Sequence, residues 1–254
     1  MMTVTAIVQA RMTSTRFPGK VLADLAGRPM ILQQLARLKA ATTITNIVIA
    51  TSDDSSDDEL AAVVSDAGYL VVRGSLDDVL SRFVTAMDAH PCDIAVRITA
   101  DCPMLMPEVV DEVVTRFLET ETDYVSNTLE PTFPDGVDVE VVQASVLREI
   151  ASSSRDAAER EHVTLGVYRR PDQYRVENVV RDGEDLSGFR WTVDTPADLE
   201  FVRRVYARLG ERFSMDEVLA LLSAEPSLVR TQADGRRNAA LDGLDTGAMK
   251  HRQR

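Results

Sequence analysis

The first hundred residues alternate between short apolar, β-branched runs and amphipathic stretches with helical spacing of apolar residues. The predicted strands are 3–10, 46–51, 69–72 and 93–99. The predicted helices begin at Pro29 and cover 58–67 and 77–89. Strands that alternate with helices across short connections are typical of a parallel sheet covered by helices on both faces. Because ligands bind such sheets beyond the carboxyl ends of the strands, we expect a functional site at that edge.

The second half of the chain is less regular. Its predicted helices are 107–119, 143–151, 157–169, 196–209 and one that Ser214 caps and that ends at Leu222. Its predicted strands are 123–126, 137–142, 174–180 and 189–193. Beyond Arg230 the chain is polar and has no apolar period. We therefore predict one domain over 1–229 and a flexible tail over 230–254.

Charge is distributed unevenly along the chain. The net charge of −13 argues against extended nucleic acid as a partner, because phosphate backbones select for basic surfaces. Residues 1–40 nevertheless hold six basic residues and one acidic residue. A basic N-terminal segment on an acidic body predicts a local binding site for an anion.

Several classes of protein are excluded by simple patterns. The sequence has no run of 18 apolar residues, so we expect no membrane insertion. The N-terminus lacks the order of charged, apolar and small residues that marks a signal peptide. The two cysteines, Cys92 and Cys102, have no metal-ligand spacing. We expect a cytoplasmic protein with reduced thiols.

The segment 9–20 is the strongest candidate for an anion site. It reads Gln-Ala-Arg-Met-Thr-Ser-Thr-Arg-Phe-Pro-Gly-Lys and follows the first predicted strand. Arg11, Arg16 and Lys20 accompany three consecutive hydroxyl residues, and such groups bind phosphate oxygens. The segment is not a Walker loop, because Ser14 stands at the first glycine and Val21 at the final Ser/Thr, and it has no G-x-G-x-x-G dinucleotide fingerprint. The pattern therefore predicts a phosphate-binding loop of another kind, with a solvated basic loop as the alternative.

Residues 7–20 closely resemble the signature loop of the cytidylyltransferases that activate acidic sugars, including 3-deoxy-manno-octulosonate and acylneuraminate cytidylyltransferases. The spore-coat-polysaccharide-type branch of this family is the most similar. Further similar blocks are 49–52, 73–75, 77–82, 99–103, 160–164 and 191–199. The resemblance covers roughly 3–209. Cys102 stands where the octulosonate enzymes carry a glutamate, so the resemblance leaves the acceptor open.

The resemblance implies a fold and a separate role for each half of the chain. The fold is a three-layer α/β/α nucleotidyltransferase of the nucleotide-diphospho-sugar transferase type, with a mostly parallel mixed sheet. About 1–122 would form the nucleotide-binding half, and about 123–229 would form the acceptor-binding and dimer-contact half. The family also implies a homodimer.

The resemblance further implies roles for the nucleotide-binding residues. Arg11, Lys20 and Asp101 would be catalytic, and Asp101 and Asp194 would bind Mg²⁺. The nucleotide-binding residues would be Ala10, Arg11, Ser14, Thr15, Arg16, Lys20, Thr51, Arg73 and Arg82. Mg²⁺ prefers one or two carboxylates together with phosphate oxygens and water, which agrees with this assignment. A helix cap remains the alternative role for Asp194.

Three residues of the second half are candidates for binding the acceptor. Asp138 and Glu140 alternate along a predicted strand and would lie on one of its faces. His162 lies in a block that matches the family. The alternatives are a solvated strand face for Asp138 and Glu140, and a subunit-interface position or a capping or core role for His162.

The implied reaction transfers CMP from CTP to a small anionic acceptor and releases pyrophosphate, in surface polysaccharide or glycoconjugate biosynthesis. The preference for CTP follows from the resemblance alone. One alternative is a glycosyltransferase that uses a nucleotide sugar, which would carry an Asp-x-Asp motif after its early strands. The other is a noncatalytic nucleotide-binding protein.

Overall fold

Seven strands form one mixed sheet in the computed structural model, which describes residues 2–235 and 237. Together with the two strands of a smaller ribbon, the strands are β1 (Val4–Gln9), β2 (Asp24–Leu25), β3 (Arg28–Pro29), β4 (Asn46–Ser52), β5 (Leu70–Gly74), β6 (Ile94–Thr99), β7 (Tyr124–Ser126), β8 (Glu140–Gln143) and β9 (Val176–Asn178). The sheet order is β5-β4-β1-β6-β8-β7-β9, and β2 and β3 form a separate ribbon. Only β8 runs antiparallel to its neighbours in the large sheet. The predicted mostly parallel mixed sheet is confirmed.

Helices cover both faces of this sheet. They are α1 (Met30–Leu38), α2 (Asp58–Asp66), α3 (Val79–Ala89), α4 (Pro107–Glu119), α5 (Ala144–Ser153), α6 (Ala157–Glu161), α7 (Leu165–Tyr168), α8 (Pro196–Leu209) and α9 (Met215–Ala224). Successive side chains of β1 enter opposite layers, because Ala6 and Val8 join one hydrophobic cluster and Ile7 joins the other. The first cluster includes residues of α1, α2, α4, α8 and α9, and the second includes residues of α3, α5 and α7. The three-layer α/β/α prediction is confirmed.

Two predicted elements of the second half differ from the structure. The predicted helix 157–169 is broken into α6 and α7, because Val163 has a φ of 49° that a continuous right-handed helix does not allow. The predicted strand 189–193 makes only isolated bridges among the described residues, through Phe189 and Arg190. No strand within 2–235 and 237 pairs continuously with this segment.

A close approach of two backbones brings this segment to the sheet edge. Gly136 has a φ of 108°, and a Cβ atom there would lie 2.6 Å from the backbone nitrogen of Thr192. The amide of Trp191 donates to the carbonyl of Asp135 at 2.6 Å. Only glycine meets both requirements, so Gly136 holds the segment that carries Asp194 beside the carboxyl ends of the strands.

The described part of the chain after α9 remains in contact with the domain. Arg230, Gln232, Gly235 and Arg237 form hydrogen bonds with residues of the domain, and the flexible tail over 230–254 stays a prediction. Because these contacts are polar, the apolar periodicity of the sequence does not indicate them. The rest of the predicted tail lies outside the described residues. Among the described helices, none has the length and apolar character needed to cross a membrane.

Candidate active site

A cavity of 460 Å³ lies at the carboxyl ends of β1 and β6. Most of the site residues predicted from the sequence, in both halves of the chain, line this cavity. The predicted residues in its lining are Ala10, Arg11, Ser14, Thr15, Arg16, Lys20, Arg82, Asp101, Asp138, Glu140, His162 and Asp194. The position agrees with the expectation for an open α/β sheet.

The loop after β1 is closed by its own backbone. The amide of Gly19 donates to the carbonyl of Met12 at 2.9 Å, and Gly19 has a φ of 74°. The amide of Met12 donates to Oδ1 of Asp57 at 2.7 Å. These bonds fold the cationic residues of the loop back over the cavity.

Two guanidinium groups in this lining have no carboxylate partner within the described part of the chain. Arg11 makes no side-chain hydrogen bond or ion pair there. Arg82 is buried, donates to the carbonyl of Ser75 at 3.2 Å and leaves its Nε without an acceptor. Burial lowers the pKa of Arg82, and the nearby charge of Arg11 lowers it further. This excess of positive charge favours an anionic ligand such as a phosphate group.

Lys20 lies between the two predicted metal ligands. Its Nζ donates to the carbonyl of Val193 at 2.6 Å, to Oδ1 of Asp194 at 3.0 Å and to Oδ2 of Asp101 at 3.2 Å. Burial alone would lower the pKa of Lys20, but the two carboxylates outweigh it and raise that pKa. The pKa of Asp101 is lowered, because Lys20 and a bond from Thr99 outweigh the effect of burial.

This arrangement fits a divalent cation. One oxygen each from Asp101 and Asp194 converges on the ammonium of Lys20, which marks a point where two carboxylates share a cation. No group of three His, Cys, Asp or Glu residues suited to a metal occurs in 2–235 and 237. The other ligands of Mg²⁺ would therefore be phosphate oxygens and water, as is usual for this ion. The helix-cap alternative for Asp194 is not needed, because Thr195 is the N-cap of α8.

The three acceptor candidates also line the cavity. The carboxylate of Glu140 accepts hydrogen bonds from Arg97, from Thr164 and from the hydroxyl of Tyr124 at 2.8 Å. Nε of Arg97 donates to Oε1 of Gln9 at 2.9 Å. With three donors on its two oxygens, Glu140 is placed to orient Arg97 rather than to bind acceptor hydroxyls directly.

His162 and Asp138 have different surroundings in the lining. Burial lowers the pKa of His162, and Arg97 lowers it further, so the imidazole is neutral near pH 7. Asp138 pairs with Arg237, which comes from the segment predicted to be flexible. Asp135 lies beside them, and burial together with the charge of Asp138 raises its pKa to about 6.

Thr51 and Arg73 are absent from the lining of this cavity. The buried hydroxyl of Thr51 donates to Oδ2 of Asp57 at 3.0 Å, on the carboxylate that also holds the loop. Arg73 donates to the carbonyl of Ser52 at 2.8 Å and pairs with Asp58 at 2.7 Å. Both residues stabilise the structure behind the loop, so a direct contact with nucleotide stays a prediction.

Sequence reasoning missed Arg97, Arg190, Arg237 and Asp135 in the lining. Arg97 had a usable signal, because it is the one charged residue of the strand Ile-Ala-Val-Arg-Ile-Thr. Arg190 stands similarly between two aromatic residues. A charge within a buried run usually has a specific partner or function. Arg237 had no such signal.

A cytidylyltransferase family profile matches residues 5–221 of the chain. The chain is 35% identical over 228 residues to the spore coat polysaccharide biosynthesis protein SpsF of Bacillus subtilis, covering 87% of this chain and 94% of that protein. It is 27% identical to a 3-deoxy-manno-octulosonate cytidylyltransferase of Geotalea uraniireducens, covering 79% and 98%. A cytidylyltransferase structure from Leptospira borgpetersenii superposes with a TM-score of 0.86 at 30% identity, covering 90% and 97%.

Proposed function

The chain belongs to the cytidylyltransferase family, and we propose that it transfers CMP from CTP to a hydroxyl of an anionic sugar acid or a similar hydroxylated acid, releasing pyrophosphate. Such a reaction would serve surface polysaccharide or glycoconjugate biosynthesis. The observation that carries the proposal is the pair Arg11 and Arg82, two cations without a carboxylate partner among the described residues. They line the same cavity as the carboxylates of Asp101 and Asp194. A triphosphate with Mg²⁺ complements both features.

The triphosphate would lie along the loop after β1. Arg11 and Lys20 bind its phosphates, and Ser14, Thr15 and Arg16 line the cavity beside them. Ala10 follows β1 directly and lines the cavity, and its amide donates to the carbonyl of Ala50 at 3.3 Å. Arg82 adds a third guanidinium to those of Arg11 and Arg16. This set neutralises charge mainly by positioned cations, as phosphoryl transfer requires.

The acceptor oxygen attacks the α-phosphorus in line with the bond to the β-phosphate. That bond breaks, pyrophosphate leaves and the proton of the acceptor hydroxyl passes to solvent. Arg11 and Lys20 stabilise the negative charge that develops on the leaving group. Asp101 and Asp194 would hold Mg²⁺, which supplies Lewis acidity toward the phosphate oxygens.

Arg97 is our candidate for binding the anionic group of the acceptor. Its guanidinium lines the cavity. An ion pair with Glu140 and a hydrogen bond to Gln9 fix its orientation. His162 and Asp138 line the same region and would contact acceptor hydroxyls. A guanidinium with a fixed plane favours a carboxylate or phosphate over a neutral sugar.

Removing Arg97 together with Glu140 tests this assignment. Arg97→Gln alone would leave the buried Glu140 without its cation, so we expect the double change R97Q/E140Q to fold better. The double variant should raise the KM for the acceptor by about 10- to 100-fold, because a hydrogen bond to a charged group contributes about 1.5–3 kcal/mol. The KM for CTP should change by less than about threefold.

The exposed ion pair Arg204–Glu200 supplies the matched control. R204Q/E200Q removes the same two groups on the surface of α8 and should leave both KM values unchanged. An R97Q/E140Q enzyme with an unchanged acceptor KM would contradict the role of Arg97.

A pyrophosphate-release screen tests the overall function. The purified protein is mixed with each of four nucleoside triphosphates and a panel of sugar acids, sugar phosphates and hydroxyphosphonates. We expect release only with CTP, Mg²⁺ and a hydroxylated anion. Release of a nucleoside diphosphate from a nucleotide sugar would indicate a glycosyltransferase instead. Tight CTP binding without turnover across the panel would favour a noncatalytic role.

Several other features that follow from the sequence or from the family resemblance stay predictions. These are the homodimer, the cytoplasmic location and the division into a nucleotide-binding half over 1–122 and an acceptor-binding half over 123–229.

A further inference from the structure

The chain beyond the family match reaches the active-site cavity. The match ends at residue 221, and residues 230–235 and 237, which we name the C-terminal segment, continue past it. The carbonyl of Arg230 accepts a hydrogen bond from the amide of Arg190 at 2.9 Å. Thr231 forms a bridge with Phe189. The C-terminal segment therefore runs beside the stretch that leads to Asp194.

Arg190 connects the C-terminal segment to the carboxylates of the cavity. Only 2% of its side chain is exposed. Its guanidinium bonds Oδ2 of Asp194 at 2.7 Å and Oδ2 of Asp135 at 3.1 Å. Its Nη1 also donates to the carbonyl of Gly235 at 3.2 Å. One buried side chain thus joins the C-terminal segment to a predicted metal ligand.

The two oxygens of Asp194 are divided between two roles. Oδ2 accepts from Arg190, whereas Oδ1 faces Lys20 at 3.0 Å and Arg16 at 2.9 Å. Fixing Oδ2 sets the plane of the carboxylate. Arg190 therefore holds one oxygen of Asp194, while Oδ1 remains directed at Lys20 and Arg16.

Gly235 packs directly on this guanidinium. A Cβ atom at Gly235 would lie 2.9 Å from Cζ and 3.0 Å from Nε of Arg190, closer than such atoms normally approach. Arg237 attaches the segment again, through an ion pair with Asp138 and a bond of 3.1 Å to the carbonyl of Phe133. The contact between Gly235 and Arg190 is therefore held from both sides.

We propose that the C-terminal segment is a positioning element of the active site, which holds Arg190 and thereby aims the carboxylate of Asp194 at the bound nucleotide. Residues outside the family match would then control how tightly the metal–nucleotide complex binds. The proposal rests on the proposed function for the identity of the nucleotide, CTP, and for the role of Asp194 in holding Mg²⁺. The contact between Gly235 and Arg190 does not depend on it.

A pair of glycine substitutions in the full-length chain tests the proposal. Gly235→Ala inserts a methyl group against Arg190, whereas Gly188→Ala, in the neighbouring stretch, meets nothing within 4 Å. CTP affinity is measured calorimetrically with Mg²⁺ and again with EDTA. We expect G235A to weaken binding about tenfold with Mg²⁺ and less than twofold with EDTA. G188A should stay within twofold in both conditions.

A second measurement needs no nucleotide. Trp191 is the only tryptophan of the chain, is fully buried and follows Arg190 directly. Quenching of its fluorescence by acrylamide should increase in G235A and stay unchanged in G188A. If the wild-type chain binds no CTP, the proposed function fails, while this quenching comparison still decides whether Gly235 holds the Arg190 region.

The route through Arg190 is tested by a double-mutant cycle. In an Arg190→Lys background the narrower side chain leaves space for the methyl group. Adding G235A should then change Mg²⁺-dependent CTP binding by less than twofold. Equal losses with Mg²⁺ and with EDTA, or a G235A protein that behaves like G188A in binding and quenching, would overturn the proposal.

Discussion

Replacing Asp101 by asparagine is expected to lower kcat at least about a thousandfold, equivalent to about 4 kcal/mol of transition-state stabilisation. Asparagine keeps the shape of the side chain but removes the charge that a divalent cation requires. Lys20 keeps its bonds to the carbonyl of Val193 and to Asp194, so the fold should survive. Pyrophosphate release at saturating Mg²⁺ measures the loss, and thermal unfolding by circular dichroism measures the fold.

The matched control removes one negative charge away from the cavity. Asp66 ends α2, is exposed and is not among the cavity residues, so Asp66→Asn should keep wild-type kcat and unfolding temperature. This control separates a local effect at Asp101 from the change in net charge. A D101N enzyme with near-wild-type kcat at saturating Mg²⁺ would contradict the metal role of Asp101.

The features predicted from sequence are those that local patterns encode. The loop over 9–20 and Asp101 each follow a short apolar run, and the end of a parallel strand defines their place in the fold. Their clustering then follows from sheet geometry, without knowledge of side-chain packing. The cavity contains Arg11, Lys20 and Asp101 for this reason.

The features that sequence reasoning missed depend on contacts between distant parts of the chain. Arg190 bonds Asp135, which lies 55 residues earlier, and this contact requires the close approach at Gly136. Arg237 pairs with Asp138 across 99 residues. Apolar periodicity reports which face of an element is buried, but it contains no information about ion pairs formed between elements.

Glu140 also shows that a sequence pattern does not identify the partner of a charged side chain. Its alternation with Asp138 predicted one polar strand face for binding an acceptor. In the structure β8 begins only at Glu140, whose carboxylate is buried among Arg97, Tyr124 and Thr164. A charge on a strand face is therefore ambiguous until its neighbours are known, because a ligand and a buried cation satisfy it equally well.

Replacing Lys20 by methionine is expected to lower kcat/KM for CTP by about a thousandfold, because a buried charge beside the leaving phosphates is lost. The structure adds a second effect. The oxygens of Asp101 and Asp194 lie 3.2 and 3.0 Å from Nζ, and without the ammonium the two carboxylates repel each other. Lys39→Met, at the exposed end of α1, removes the same charge. It should change neither kcat/KM for CTP nor the stability of the fold.

The repulsion makes the effect of Lys20→Met on stability depend on pH. Because the pKa of Asp101 is lowered in the folded protein, its charge stabilises the fold above the unfolded pKa, and this contribution is lost as pH falls through the folded pKa. Lys20→Met removes the main cation that lowers the pKa of Asp101. The difference in unfolding temperature from wild type should be largest near pH 7 and should shrink toward pH 3. A difference independent of pH, with CTP turnover within tenfold of wild type, would make Lys20 a packing residue rather than the shared cation of two carboxylates.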